Sequence, residues 1–203
     1  MSSRAESKIE TGSYVRPCEG ETVSGDAVLL QPTQGGMLAA VIDALGHGSE
    51  AHRLTLQLSE ALSGWLPGTP SPRPEIALGL LHECARGTRG AVATVAWLSN
   101  DTLEGSVAGI GNVRCRLLGT VTRTIEFGDG VLGQRMRSPR SVAFELRPAD
   151  VIVLFSDGVA GRFRSDDYPS LSLDPAPTIA LNIVKRFGKD TDDASCAVMR
   201  CRW

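Results

Sequence analysis

An α+β domain, with two stacked and mostly antiparallel sheets and helices outside them, is the architecture expected of this 203-residue chain. Helical periodicity occurs in two early segments and one late one, around a β-rich middle, whereas a parallel sheet would interleave one helix per strand. About nine apolar stretches have strand length, more than one sheet comfortably holds, and two stacked sheets would bury them. Short links bearing Gly, Asn or Pro join several of these stretches, as antiparallel hairpins require.

Residues 1–12 are polar and expected to fray or to form an edge strand. Residues 27–30 are the first interior strand, and residues 36–42 follow a turn as a near-continuous apolar run, the pattern of a strand covered on both faces. Over residues 49–66 the texture changes: Ala51, Leu54, Leu58, Ala61, Leu62 and Trp65 recur at three- and four-residue steps, with Ser49 as the expected N-cap. The segment 67–74 holds four prolines and a glycine, so it is a loop. A second helix is expected from Pro74 to about residue 86, presenting Ile76, Leu80, Leu81 and Cys84 on one side. Strands are then expected at 91–98, 103–108, 113–118, 121–127, 142–146 and 151–155, with the links 99–102 and 109–112 read as hairpins. A last helix at 177–187, closed by Gly188, precedes a strand at 194–201.

Composition sets the class. With 42% hydrophobic and 22% charged residues the chain is globular in type, and without a linker or repeat residues 1–203 read as a single domain. Twenty-one basic and 23 acidic side chains leave a net charge of -2, which argues against nucleic acid as a partner. The most apolar runs, 37–42 and 151–155, fall far short of the roughly 20 residues that cross a bilayer. No signal-peptide pattern opens the chain, so cytoplasmic localisation, no membrane partner and a monomer are expected. Five scattered cysteines without a C-x-x-C pair fit reduced thiols better than disulfides or zinc.

Chemistry gathers where apolar strands run into aspartate. Asp26 follows Ser24-Gly25, Asp43 ends the run 37–42, Asp157 follows the strand 151–155, and Asp193, beside Asp192, precedes the last strand. A single Asp in such a place is an ordinary turn residue or cap. Four of them brought to one end of the sheets would repel by up to about 4 kcal/mol per close pair, and such a cluster calls for cations. Oxygen-only ligands select hard ions, Mg²⁺ or Mn²⁺, and two such ions balance four aspartates and activate water near neutral pH.

Four blocks stand in order: Ser24-Gly25-Asp26, Asp43-Ala44-Leu45-Gly46-His47-Gly48, Ser156-Asp157-Gly158 and Asp192-Asp193-Ala194-Ser195. Together they resemble the bacterial, SpoIIE-like branch of the metal-dependent PP2C-type (PPM) serine/threonine phosphatases, and the resemblance runs over nearly the whole chain. It implies a four-layer α-β-β-α sandwich and two divalent cations, Mn²⁺ or Mg²⁺. Asp43 is implied to bridge both ions and the Ala44 carbonyl to bind one of them. Asp157 and Asp193 are implied to hold the other, with Asp26 acting on its neighbour, partly through water. A metal-bridging hydroxide would then attack phosphoserine or phosphothreonine in line, without a phosphoenzyme.

Within that branch, Arg89-Gly90-Ala91-Val92-Ala93-Thr94 and Gly111-Asn112-Val113-Arg114 make the chain most similar to the stressosome phosphatases. This implies phosphorylated STAS-domain proteins of a stressosome-type complex as partners. The alternatives are an anti-sigma-factor antagonist as substrate, or a phosphoprotein-binding module without catalysis. Some positions depart from the wider family. Asn112 replaces an acid that helps bind a third metal, Arg16 has nothing in its setting to mark it as a phosphate-holding arginine, and His47 lies four residues after its aspartate. A general-acid role for His47 competes with backbone spacing or a water contact. His52 and His82 read as surface or packing residues, Asp166 and Asp167 as a polar loop, and Arg135, Arg137 and Arg140 as a basic cluster that faces solvent or guides an acidic partner.

Overall fold

The structure is a computed structural model that describes residues 8–119, 122–163 and 173–201. Its elements run β1 (Ile9–Arg16), β2 (Asp26–Pro32), β3 (Gly36–Ala44), α1 (Gly48–Trp65), α2 (Pro74–Cys84), β4 (Ala91–Ser99), β5 (Glu104–Ile110), β6 (Arg114–Leu118), β7 (Arg123–Ile125), β8 (Val142–Glu145), β9 (Val151–Phe155), α3 (Ala176–Phe187) and β10 (Ala194–Cys201). One five-stranded sheet has the order β1-β10-β9-β6-β7, the other β2-β3-β4-β5-β8, and neighbouring strands in both are antiparallel.

Side-chain alternation divides the core into three layers. On β3, Leu38, Ala40, Ile42 and Ala44 face α1 and α2, while Met37, Ala39 and Val41 face the other sheet. On β9 and β10, Ile152, Leu154, Ala197 and Met199 enter the layer between the sheets, and Val153, Phe155, Cys196 and Val198 pack on α3. Helices therefore cover both outer faces, and the expected α-β-β-α sandwich is the observed one.

The structure corrects several local expectations. The link 109–112 is not a hairpin but a crossover, since β5 and β6 belong to different sheets. Gly111, at φ +85°, makes that turn, and a Cβ there would lie 2.3 Å from a Val92 methyl. On α2 the buried face is Pro74, Ala77, Leu78, Leu81 and His82, and Ile76 is 48% exposed. This helix carries apolar residues nearly all round, so periodicity left its orientation open, and packing on α1, β4 and β5 chose the face. Helix α1 starts at Gly48 with His47 as N-cap and no side-chain cap, so Ser49 lies inside the helix. The strand expected at 121–127 shortens to β7. The polar start contributes the edge strand β1, paired along its length with β10. Asp166 and Asp167 lie outside the described residues.

Candidate metal centre

Asp26 and Asp43 stand directly opposite each other in the β2–β3 ladder. One pair further on, the Ala44 N–H donates to the Gly25 carbonyl at 3.1 Å, so Asp26 and Asp43 occupy a non-hydrogen-bonded pair, in which side chains approach most closely. Both continue the rows that face the opposing sheet. From that sheet Ser156 and Ser195 extend the inter-sheet rows of β9 and β10 toward the same end. Their hydroxyls lie beside Asp26. Two acids from one sheet thus meet two hydroxyls from the other at the mouth of the central layer.

A cavity of ≈ 410 Å³ opens there, and its walls include Asp43, His47, Asn112, Asp157, Asp192 and Asp193. Gly158 lets the Asp157 turn lie against the last strand, since a Cβ at this position would sit 1.8 Å from the Asp193 carbonyl oxygen. The Asp157 Oδ2 accepts from Asn112 Nδ2 at 2.7 Å, and its carbonyl accepts from Lys189 Nζ at 2.7 Å. Asn112 stands where the wider family pattern has an acid, and it acts here as a donor that aims Asp157.

Crowding of like charge dominates the electrostatics. Burial, and then the carboxylates of Asp26, Asp157, Asp192 and Asp193, push Asp43 up to about 9. Burial also lifts Asp26 to about 7, with Asp193 and Asp157 adding to the rise and the Ser156 and Ser195 hydroxyls offsetting part of it. Asp26 Oδ2 is buried and completes no hydrogen bond. Asp192 is raised as well, by burial first and by Asp157 next.

The adjacent aspartates differ in role. Asp193 is 4% exposed, and both its oxygens are engaged: Oδ1 accepts from the Cys18 N–H at 2.9 Å and Oδ2 from the Gly25 N–H at 2.8 Å. Asp192 is only half-buried, and its Oδ1 accepts from the Asp193 N–H at 3.0 Å. Asp193 therefore ties the strand end to the loop before β2, and Asp192 is the freer carboxylate on the cavity wall.

Other residues singled out in the sequence fall into place around this centre. His47 lies at the lip of the cavity, with Nδ1 2.7 Å from Glu21 Oε1. A carboxylate only accepts, so Nδ1 carries the hydrogen and Nε2 is the free ring nitrogen. Arg16 is bound to Asp190 and to the Lys189 carbonyl, away from the cavity wall. His52 meets the Ser24 carbonyl, and His82 accepts from the Gly133 N–H. Sequence reasoning overlooked Glu21 and also Asp129, which lines the cavity; Gly128-Asp129-Gly130 repeats the acid-beside-glycine texture of the other blocks.

Hard divalent cations fit this donor set. It is all oxygen, one buried Asp26 oxygen lacks a partner, and the mutual repulsion is of the kind that cations relieve. Among the described residues no three acidic, His or Cys side chains form a closed ligand set, so the carboxylates share the cavity without converging on a single point.

A model of the family Stage II sporulation protein E (SpoIIE) matches residues 33–201. The phosphoserine phosphatase RsbX of Bacillus subtilis (strain 168) is 26% identical over 106 residues, covering 52% of this chain and 51% of that protein. The match thus spans about half the length of the curated relative. A chain from a structure described as "The bacterial stressosome: a modular system that has been adapted to control secondary messenger signaling" superposes with a TM-score of 0.81 at 26% identity, over 95% of this chain and 99% of that one. RsbX in complex with magnesium superposes with a TM-score of 0.74 at 18% identity, over 95% of each chain, which shows a shared fold. A family model that spans most of the chain, over a sandwich shared with these structures, means that the chain belongs to the Stage II sporulation protein E (SpoIIE) family of PP2C-type phosphatase domains.

Proposed function

We propose that this protein is a metal-dependent phosphatase that removes phosphate from phosphoserine or phosphothreonine on STAS-domain proteins of a stressosome-type complex. The observation that carries the reading is the Asp26–Asp43 pair at the mouth of the inter-sheet layer, with Asp157 and Asp192 on the same cavity. Family membership, the phosphoserine phosphatase RsbX as a relative and the stressosome structure as a neighbour support it.

In this reading Asp43 would be shared by two cations, Mn²⁺ or Mg²⁺, which the Ala44 carbonyl, Asp26 and Asp157 would also help to hold. Asp192 joins Asp157, and Asp193, the ligand implied by resemblance, instead holds the loop that presents its neighbour. When bound, such cations would supply Lewis acidity that offsets phosphate charge and favours attack by water near neutral pH. Asn112 fixes the orientation of Asp157 by its 2.7 Å hydrogen bond. Ser156 and Ser195 stabilise the ionised form of Asp26. Any proton His47 delivers to the departing serine oxygen leaves from Nε2, because Glu21 holds Nδ1. No helix among the described residues is long and apolar enough to cross a membrane. From its composition and charge we further propose a cytoplasmic monomer without nucleic acid or membrane partners.

The test is to incubate the purified protein with phosphorylated STAS proteins of a stressosome and, in parallel, with a phosphorylated anti-sigma-factor antagonist, with Mn²⁺ or with a chelator. Mn²⁺-dependent phosphate release from the first substrate supports the reading. Release only from the second reassigns the substrate, and retention of either partner in a pull-down without release points to a binding module.

A further inference from the structure

A second cavity, of ≈ 400 Å³, adjoins the acidic one, and Asp129 and Gly130 line both. Its lining has the opposite character: Arg135, Arg137 and Gln134 stand there, with Asp129 as the carboxylate of the wall. Backbone bonds hold this lining firmly. Gly130 bridges Met136, and the Val131 N–H donates to the Arg135 carbonyl at 2.9 Å. The turn is also tied to distant elements. The Leu132 N–H donates to the Ala91 carbonyl at 2.7 Å, the Gly133 N–H to His82 Nδ1 at 3.2 Å, and Gln134 Nε2 to the Arg89 carbonyl at 2.8 Å.

Met136 packs against the core beneath the helices. Successive side chains of an extended segment point to opposite sides, so an inward Met136 sends Arg135 and Arg137 outward together. Both are exposed, and among the described residues neither has a carboxylate within ion-pair distance. Arg140, the third member of the basic cluster in sequence, does not line the cavity. Two guanidinium groups on one side of a tethered turn, each a planar donor fork, offer charge-assisted hydrogen bonds to a carboxylate. A carboxylate carried on the same peptide as the phosphoserine arrives there at high local concentration once the phosphate occupies the neighbouring cavity.

We propose that Arg135 and Arg137 form a specificity subsite for an acidic side chain of the substrate protein, near in sequence to the phosphorylated serine or threonine. The inference rests on the phosphatase reading of the adjoining cavity.

Two peptides test it, each carrying a hydrolysis-resistant phosphonate in place of phosphoserine, one flanked by Glu and one by Gln. Binding to the full chain with Mn²⁺ is followed by fluorescence anisotropy. The wild-type protein should prefer the Glu-flanked peptide about fivefold or more at low salt, as two partly exposed charge pairs allow, and less at high salt. R135Q/R137Q should bind both peptides equally, and R135E/R137E should prefer a Lys-flanked peptide, an inversion that misfolding cannot produce. Equal binding by the wild type, or a Glu preference that survives in R135Q/R137Q, overturns the inference. If the preference behaves as stated but neither true phosphoserine peptide is hydrolysed, the phosphatase reading fails and the acidic subsite stands.

Discussion

Asp26 and Asp43 face each other across the β2–β3 ladder, with both side chains turned into the layer between the two sheets. No arginine or lysine among the described residues forms an ion pair with either. A sheet that places like charges directly opposite is destabilised there. Burial and mutual repulsion favour protons on these acids. If cations bind there as proposed, proton and metal would compete for the same oxygens.

Without metal, the protein should lose stability as pH rises. Asp43 is pushed up to about 9 and Asp26 to about 7, above the unfolded value of 3.8. Below that unfolded value both states hold these protons; above it only the folded state keeps them, so the stability they contribute drains away as pH climbs through about 7 and then about 9. Thermal melts of chelator-treated wild type and Asp43→Asn should show the variant gaining on the wild type from pH 5 to pH 9, by at least about 5 °C. Parallel curves would contradict the charge-cluster account.

With metal, the order should reverse. Asn has the shape of Asp without its charge, so Asp43→Asn should fold normally, lose most of the Mn²⁺-induced rise in Tm, and lose phosphatase activity by at least about 100-fold. Circular dichroism and phosphate release on the same preparation check both halves. Full activity in the variant would remove Asp43 from the mechanism.

The adjacent aspartates should separate cleanly. Asp193→Asn sacrifices charge-assisted bonds to the Cys18 and Gly25 amides and should cost about 1.5–3 kcal/mol of stability. Asp192→Asn relieves part of the repulsion, so it should not lower the metal-free Tm near neutral pH, and it should weaken Mn²⁺ binding by at least about tenfold, read by calorimetric titration. The reverse pattern would restore Asp193 as the ligand.

Much of this was legible in the sequence because it depends on local signals. Apolar runs that end in aspartate marked Asp43 and Asp157 as strand-end acids, Ser24-Gly25 marked Asp26 ahead of its strand, and the switch from strand to helix texture and back implied the sandwich. What was not legible depends on distant partners. The link 109–112 has the length and glycine of a hairpin, and only the competition between two sheets for β6 makes it a crossover. The face of α2 was hidden because the helix is apolar nearly all round. Asp192 and Asp193 cannot be told apart by spacing, since the amides that claim Asp193 belong to Cys18 and Gly25, more than 160 residues away. Asp129 stands outside the motif blocks, and it reaches the cavity because the turn that carries it is bonded to β4 and α2.

Diffraction from crystals grown with Mn²⁺, collected at the manganese absorption edge, tests the central claim most directly. The account predicts two anomalous peaks in the ≈ 410 Å³ cavity, both in contact with the Asp43 carboxylate, with Asp157 and Asp192 on one of them. A map with no peak in that cavity at saturating Mn²⁺ would contradict it.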